Sequence, residues 1–261
     1  MKAEAAFTDP AAHLRAVLSS DAFQLYCQPI AAIRGLVMAY PMGEVLVRLR
    51  EEEQAMLPPG EFLPVLEHYG LMPQLDRWIL RHALERLSVG SRIARLSFNL
   101  SVQTLADRAF PAFVADQLAA ARVPGNCVLF EIEEAEIMAA PEAAARFAAL
   151  VGSLGAGMMI DGFGRTADAM QLLVEVPCVR AVKLHGAHVR RLLSAGKPDA
   201  LLERLLRETH RRGVMAVAES VEHAASLPLL RALGVRYAQG FGVYKPQPLD
   251  AFIEPHALLV A

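Results

Sequence analysis

Apolar residues along this chain follow two alternating rhythms. Short β-rich runs, with hydrophobic side chains nearly continuous or alternating, are each followed by a stretch whose apolar positions recur at helical spacing. The first rhythm predicts strands at Phe23–Ile30, Val37–Leu49 (with an irregularity at Pro41), Arg95–Ser101, Cys127–Glu133, Gly157–Phe163, Ala181–Gly186, Val214–Ser220 and Tyr237–Gly242. The second predicts helices that include Pro59–Tyr69, Leu75–Leu87, Pro141–Leu154, Pro198–Arg212 and Ala224–Leu233. Pro59 and Pro198 suit a helix's first turn, and Gly70 and Gly213 suit its end. Roughly eight strands alternating with helices predict an α/β fold, a (β/α)8 TIM-like barrel. The first two strands are separated only by a short segment containing Arg34 and Gly35, too little for a parallel crossover. They should form a hairpin, which leaves one antiparallel strand in the barrel. Residues 1–20 read as an N-terminal extension or helix, short for a separate sensor, and residues 21–261 as the barrel domain.

Polar residues interrupt these apolar runs about once per strand: Gln28, Glu44, Asn99, Glu131, Asp161, Lys183, Glu219 and Gln239. Barrel chemistry gathers at the ends of the strands. Any one of these residues alone reads as a solvated strand end. All eight in register, with an amide and a lysine among four carboxylates, read as a site, since buried carboxylates need a metal, a cation or a proton. Oxygen donors without Cys or His suit Mg²⁺ or Mn²⁺ better than zinc. The set fits metal-assisted phosphoester chemistry, although an enolase-like or aldolase-like barrel would present similar residues.

Composition narrows the classes. Hydrophobic residues form 54% of the 261, enough for a large core, and the net charge of −2 lacks the basic field of a DNA or RNA binder. No apolar run reaches the roughly 20 residues of a membrane span, and Met1–Pro10 does not resemble a secretory signal. Cys27, Cys127 and Cys178 have no metal-ligand spacing; Cys27 and Cys127 sit in apolar runs as buried inert thiols. The reading is a reduced, cytoplasmic protein.

Local sequences carry a resemblance. They are Tyr26–Ile30 (YCQPI), Glu44–Arg48 (EVLVR), Glu61–Leu66 (EFLPVL), Leu75–Leu80 (LDRWIL) and Phe98–Ser101 (FNLS), followed by Phe130–Glu134 (FEIEE), Ile160–Gly164 (IDGFG), Val182–Leu184 (VKL), Ala218–Glu222 (AESVE) and Tyr237–Phe241 (YAQGF). In this order and spacing, over about residues 20–255, the chain resembles the EAL family of cyclic di-GMP phosphodiesterases. The resemblance implies a barrel with one antiparallel strand. It implies a first divalent ion, Mg²⁺ or Mn²⁺, on Glu44, Asn99, Glu131 and Asp161, with Asp161 bridging to a second. Lys183 would steady the attacking water, Glu219 would orient water, and Glu134 would anchor the loop after Asp161. Gln28, Leu46, Arg48 and Gln239 would contact the nucleotide, with Arg48 on a phosphate and Leu46 against a guanine. The reaction implied is hydrolysis of one phosphodiester to linear pGpG.

The chain departs from the family's D-D-F-G-T-G at Asp161–Thr166, which reads DGFGRT. Gly162 supplies no carboxylate, so the second ion should bind weakly or not at all. Losing even an outer-shell partner costs about 10- to 100-fold in affinity or activity. Arg165 reads as a solvent-facing loop residue, the alternative being that it folds inward to replace charge. His185, where the family usually carries Asp, reads as packed or solvated rather than as a ligand. Glu133, where Thr is usual, reads as a rim residue, and Val45 for Ala is conservative. A cyclic di-GMP receptor is therefore the first reading, signalling through a protein partner or a second copy. A slow phosphodiesterase is the alternative. An interaction module without nucleotide comes third.

Overall fold

The computed structural model describes residues 10–20, 22–34, 38–50, 56–166 and 168–255. Strand β1 (Phe23–Ala32) runs antiparallel to β2 (Ala39–Arg50), in register from Phe23↔Leu49 to Ile30↔Met42. The register then shifts, so that Ala32 faces Ala39 and an extra residue sits on β2 at Tyr40–Pro41. Pro41 has no N–H to give to the ladder, and a bulge accommodates that. This is the irregularity expected there. Gly35 and Val37, assigned to the hairpin turn and the second strand's start, lie outside the described residues, as do 1–9 of the extension and 256–261.

From β2 the sheet continues in parallel through β4 (Arg95–Asn99), β5 (Val128–Glu133), β6 (Gly157–Phe163), β7 (Val179–Leu184), β8 (Met215–Ala218) and β9 (Tyr237–Ala238). Strand β9 pairs antiparallel with β1 and closes the barrel. The short β3 (Met56–Leu57) and β10 (Gln247–Pro248) extend β2 and β1. The expected barrel with one reversed strand is present.

Helix α1 (Pro10–Leu18) precedes β1, and α2 (Pro59–His68) and α3 (Met72–Leu87) follow β3. Next come α4 (Val102–Ala106) and α5 (Phe110–Ala121), α6 (Glu134–Ala139) and α7 (Pro141–Ser153), and α8 (Ala169–Glu175). The last crossovers hold α9 (Gly186–Ala195), α10 (Ala200–Arg211) and α11 (Leu227–Ala232). No helix among the described residues is long and apolar enough to cross a membrane.

Several boundaries differ from the sequence expectation, two of them because a side-chain cap sets the start of a helix. Ser101, expected in a strand, is the N-cap of α4: its Oγ accepts from Thr104 N at 3.2 Å and donates to Asp76 Oδ2 at 2.8 Å. Gly186 opens α9 instead of ending a strand. Pro198 is not in a first helical turn, because Asp199 caps α10 by accepting from Leu202 N at 2.8 Å. Residues 224–226 form a 3₁₀ turn before α11.

Strand alternation divides the core into two shells. Phe98, Phe130, Ile160, Val182 and Leu184 face outward into the helical layer. Ile30, Met42, Leu129, Met159, Ala181 and Val217 face inward and plug the barrel. Each plug residue lies two positions from a polar residue on the same face: Gln28, Glu44, Glu131, Asp161, Lys183 and Glu219. The plug is thus the floor beneath a polar layer.

Candidate functional site

The polar layer stands on that floor at the end toward which the parallel strands run. Lys183 is its centre. The Nζ is buried, donates to Glu44 Oε2 at 2.6 Å and also hydrogen-bonds Glu131 Oε1. Glu44 accepts further from Asn99 Nδ2 and Gln239 Nε2, both at 2.8 Å. Ser97, buried below Asn99, donates to Glu131 Oε2 at 2.9 Å. Gln239 Nε2 also reaches Gln28 Oε1 at 3.3 Å, and Gln28 donates to the Tyr244 carbonyl at 3.0 Å.

Asp161 and Glu219 share the cavity without joining that network. Asp161 Oδ1 accepts from Gly162 N at 2.8 Å. The cavity, about 550 Å³, is lined by Gln28, Glu44, Asp161, Lys183, Glu219 and Gln239. Residues beyond the sequence reading also line it, namely Ser220, Glu222, Gly240 and Phe241. Phe241 is 65% exposed and offers an apolar ring at the mouth. It belongs to the YAQGF segment, so the signal lay in a motif read only for its glutamine. Ser97 gave no signal, because it looks like any small strand residue.

Four carboxylates face one ammonium here. Burial and the neighbouring Glu44 charge push Glu131 up to about 8, against the pull of Lys183. Burial likewise opposes ionisation of Glu44, but the Lys183 charge and the bonds from Lys183, Asn99 and Gln239 hold its pKa below the usual value. Burial works against a charged Lys183, yet Glu131 and Glu44 keep its pKa above the ordinary range. Burial and then Asp161 raise Glu219. The cluster therefore holds more acid than Lys183 neutralises, and its hard oxygens suit a divalent ion in charge and chemistry. As the side chains stand, no three His, Cys, Asp or Glu among the described residues converge on one ion position. Lys183 stands between Glu44 and Glu131.

The loop after β6 is fixed from below. Buried Glu134 accepts from Gly164 N and Thr166 N, both at 2.7 Å, and from Arg165 N at 3.3 Å. His188, also buried, meets the Gly164 carbonyl at 2.8 Å. Gly162 has φ of +64°, and a Cβ there would meet nothing within 4 Å. Arg165 does not fold inward: half exposed, its Nη1 stands 3.7 Å from Glu133 Oε2 at the rim. Burial, then the Arg165 charge, lowers the pKa of His185.

A second groove of about 420 Å³ flanks the cluster, lined by Leu46, Leu63, Met72 and Ile79 with Asn99, Glu131 and Glu133. Leu46 therefore lies beside the polar layer. Arg48 lies farther out, donating to the Val47 carbonyl at 2.8 Å with its guanidinium 5.7 Å from the Tyr26 ring centre. Of the sequence candidates, Gln28, Glu44, Asn99, Glu131, Lys183 and Gln239 form one network, Asp161 and Glu219 share its cavity, and Glu134, Leu46 and Arg48 surround it. Cys27 and Cys127 are buried and unpaired; burial raises both thiols and keeps them inert.

The family model for the EAL domain matches residues 11–246. The chain is 29% identical over 247 residues to the cyclic di-GMP phosphodiesterase PdeB of Shewanella oneidensis, covering 94% of this chain and 29% of that protein. It is 27% identical to the cyclic di-GMP phosphodiesterase RocR of Pseudomonas aeruginosa, covering 91% of this chain and 60% of that one. Among solved structures, the FimX EAL domain from P. aeruginosa bound to cyclic di-GMP superposes with a TM-score of 0.83 at 26% identity, covering 94% of this chain and 99% of that one. The chain thus spans less than two thirds of the length of these curated relatives.

Proposed function

The chain belongs to the EAL domain family, and from that premise we propose that it binds cyclic di-GMP and acts mainly as a receptor for it. Homologous EAL domains are cyclic di-GMP phosphodiesterases or binders. What carries the receptor reading is Gly162: at the lip where a second ion would be held there is no side chain, while the apolar groove at Leu46, the guanidinium of Arg48 and the amide of Gln28 all remain. Contacts to a nucleotide survive where the second half of a metal pair does not, so binding should outlast turnover.

Phosphodiesterases of this family are generally divalent-metal dependent. Glu44, Asn99, Glu131 and Asp161 would hold one Mg²⁺ or Mn²⁺, which would polarise the phosphate when bound. Lys183 would present its ammonium to the attacking water. Glu219, whose proton affinity burial raises, would orient that water or take its proton. Glu134 holds in place the loop that follows Asp161 and β6. Leu46 would pack a guanine, Arg48 would meet a phosphate, and Gln28 and Gln239 would orient the ring.

A slow phosphodiesterase is the second reading, favoured by the intact network around Lys183. Calorimetry with cyclic di-GMP in EDTA, Mg²⁺ and Mn²⁺, with chromatography for pGpG, separates the two. Heat without product supports the receptor, and product under either metal supports the enzyme. Absence of both overturns the proposal in favour of an interaction surface without nucleotide.

A further inference from the structure

Three sequence departures, Glu133, Gly162 and Arg165, meet at one corner of the mouth. Glu133 ends β5 directly opposite Asp161 on β6. Arg165 N donates to the Gly162 carbonyl at 3.2 Å, so a tight turn brings Arg165 back toward the same strand end. Glu134 pins that turn through three backbone N–H groups. The backbone at both ends of the Glu133–Arg165 pair is therefore fixed. Only the side chains are free, with 53% of Arg165 and 58% of Glu133 exposed and 3.7 Å between them. Gly162 contributes nothing to the space between.

The other cations near the mouth are differently placed. Lys183 is buried between two glutamates. Arg48 lies over Tyr26 and donates to the Val47 carbonyl. Arg190 Nη1 lies 3.1 Å from where Gly186 would carry a Cβ, after the next strand β7 and beside Glu219. A dianionic nucleotide entering over this acid-rich mouth meets electrostatic repulsion. At the Gly162 corner the available positive charge is the Arg165 guanidinium.

We infer that Arg165 contacts a phosphate of the ligand, and that Glu133 parks the guanidinium at the rim until the ligand takes it. This rests on the cyclic di-GMP reading. An ion pair so exposed holds its partners weakly, whereas a guanidinium meeting a phosphate forms bidentate charge-assisted bonds. The ligand therefore wins the exchange. Glu133 competes for the guanidinium and adds negative charge at the entrance, so it lowers affinity and Arg165 raises it.

The test is calorimetry of cyclic di-GMP binding in EDTA for the wild type, Arg165→Ala, Arg165→Lys and Glu133→Gln. Arg165→Ala should weaken binding about tenfold, the scale of one charge-assisted contact, and Arg165→Lys should restore part of it. Glu133→Gln should tighten binding by roughly two- to fivefold, a sign that loss of a merely structural pair cannot produce. Melting temperatures should stay within about 4 °C of the wild type. Unchanged affinity in Arg165→Ala, or weakening in Glu133→Gln, overturns the inference while the receptor reading stands. A wild type that binds no cyclic di-GMP in EDTA, Mg²⁺ or Mn²⁺ overturns the receptor reading and this inference with it.

Discussion

Glu131 and Glu133 lie two residues apart on one strand and face, and each meets a basic side chain from elsewhere in the chain, Lys183 on β7 and Arg165 in the loop after β6. Glu131 is 2% exposed and shares Lys183 with Glu44; Glu133 meets Arg165 in water. The chemistry of the two pairs is nearly the same and their surroundings are opposite. Buried, a pair binds its members because the alternative is an uncompensated charge. Exposed, the same pairing contributes about 0–1 kcal/mol and exchanges freely. The inner pair maintains the site, and the outer one is available to respond.

The sharpest way to break this contrast is Lys183→Ala. It leaves Glu44 and Glu131 facing each other without a cation, and should cost about 3–5 kcal/mol of stability, read by urea unfolding. Mn²⁺ should recover part of that loss, and a cost under about 1 kcal/mol would end the distinction between the pairs. Glu134→Ala should follow, at about 1.5–3 kcal/mol for the loss of a charged acceptor, with faster amide exchange at Gly164 and Thr166. Gly162→Asp tests the lip between the two pairs. The left-handed φ of +64° makes a side chain there strained although space is free, so stability should fall by about 1–2 kcal/mol. Calorimetry should find Mn²⁺ affinity rising about tenfold or more, the reverse of a lost ligand. Smallest of all, Glu133→Gln should move unfolding stability by less than about 1 kcal/mol.

The barrel was legible because its strands and crossovers follow simple periodicities, and the reversed strand because so short a connection permits only a hairpin. The polar layer was legible for a related reason. Alternation places Glu131, Asp161 and Lys183 on the face of Leu129, Met159 and Ala181, so register alone gathers them. What escaped depended on partners from distant parts of the chain. Nothing local says that Lys183 stands between Glu44 and Glu131, that Arg165 turns to Glu133, or that Ser97 supports Glu131. Strand ends at Ser101 and Gly186 were misplaced because both residues suit extended chain until a following helix claims them. Pro198 was placed in a helix by its preference for first turns, where Asp199 held the stronger claim as a cap.

Reversal of β1 has a mechanical consequence. Because β1 enters from the end where the parallel strands finish, α1 arrives on the mouth side of the barrel. There Leu14, Val17 and Leu18 pack with Phe23, Val47 and Phe62. Val47 lies between Leu46 and Arg48 on β2. One layer of side chains thus separates α1 from the backbone that carries both, and the helix braces the rim from outside.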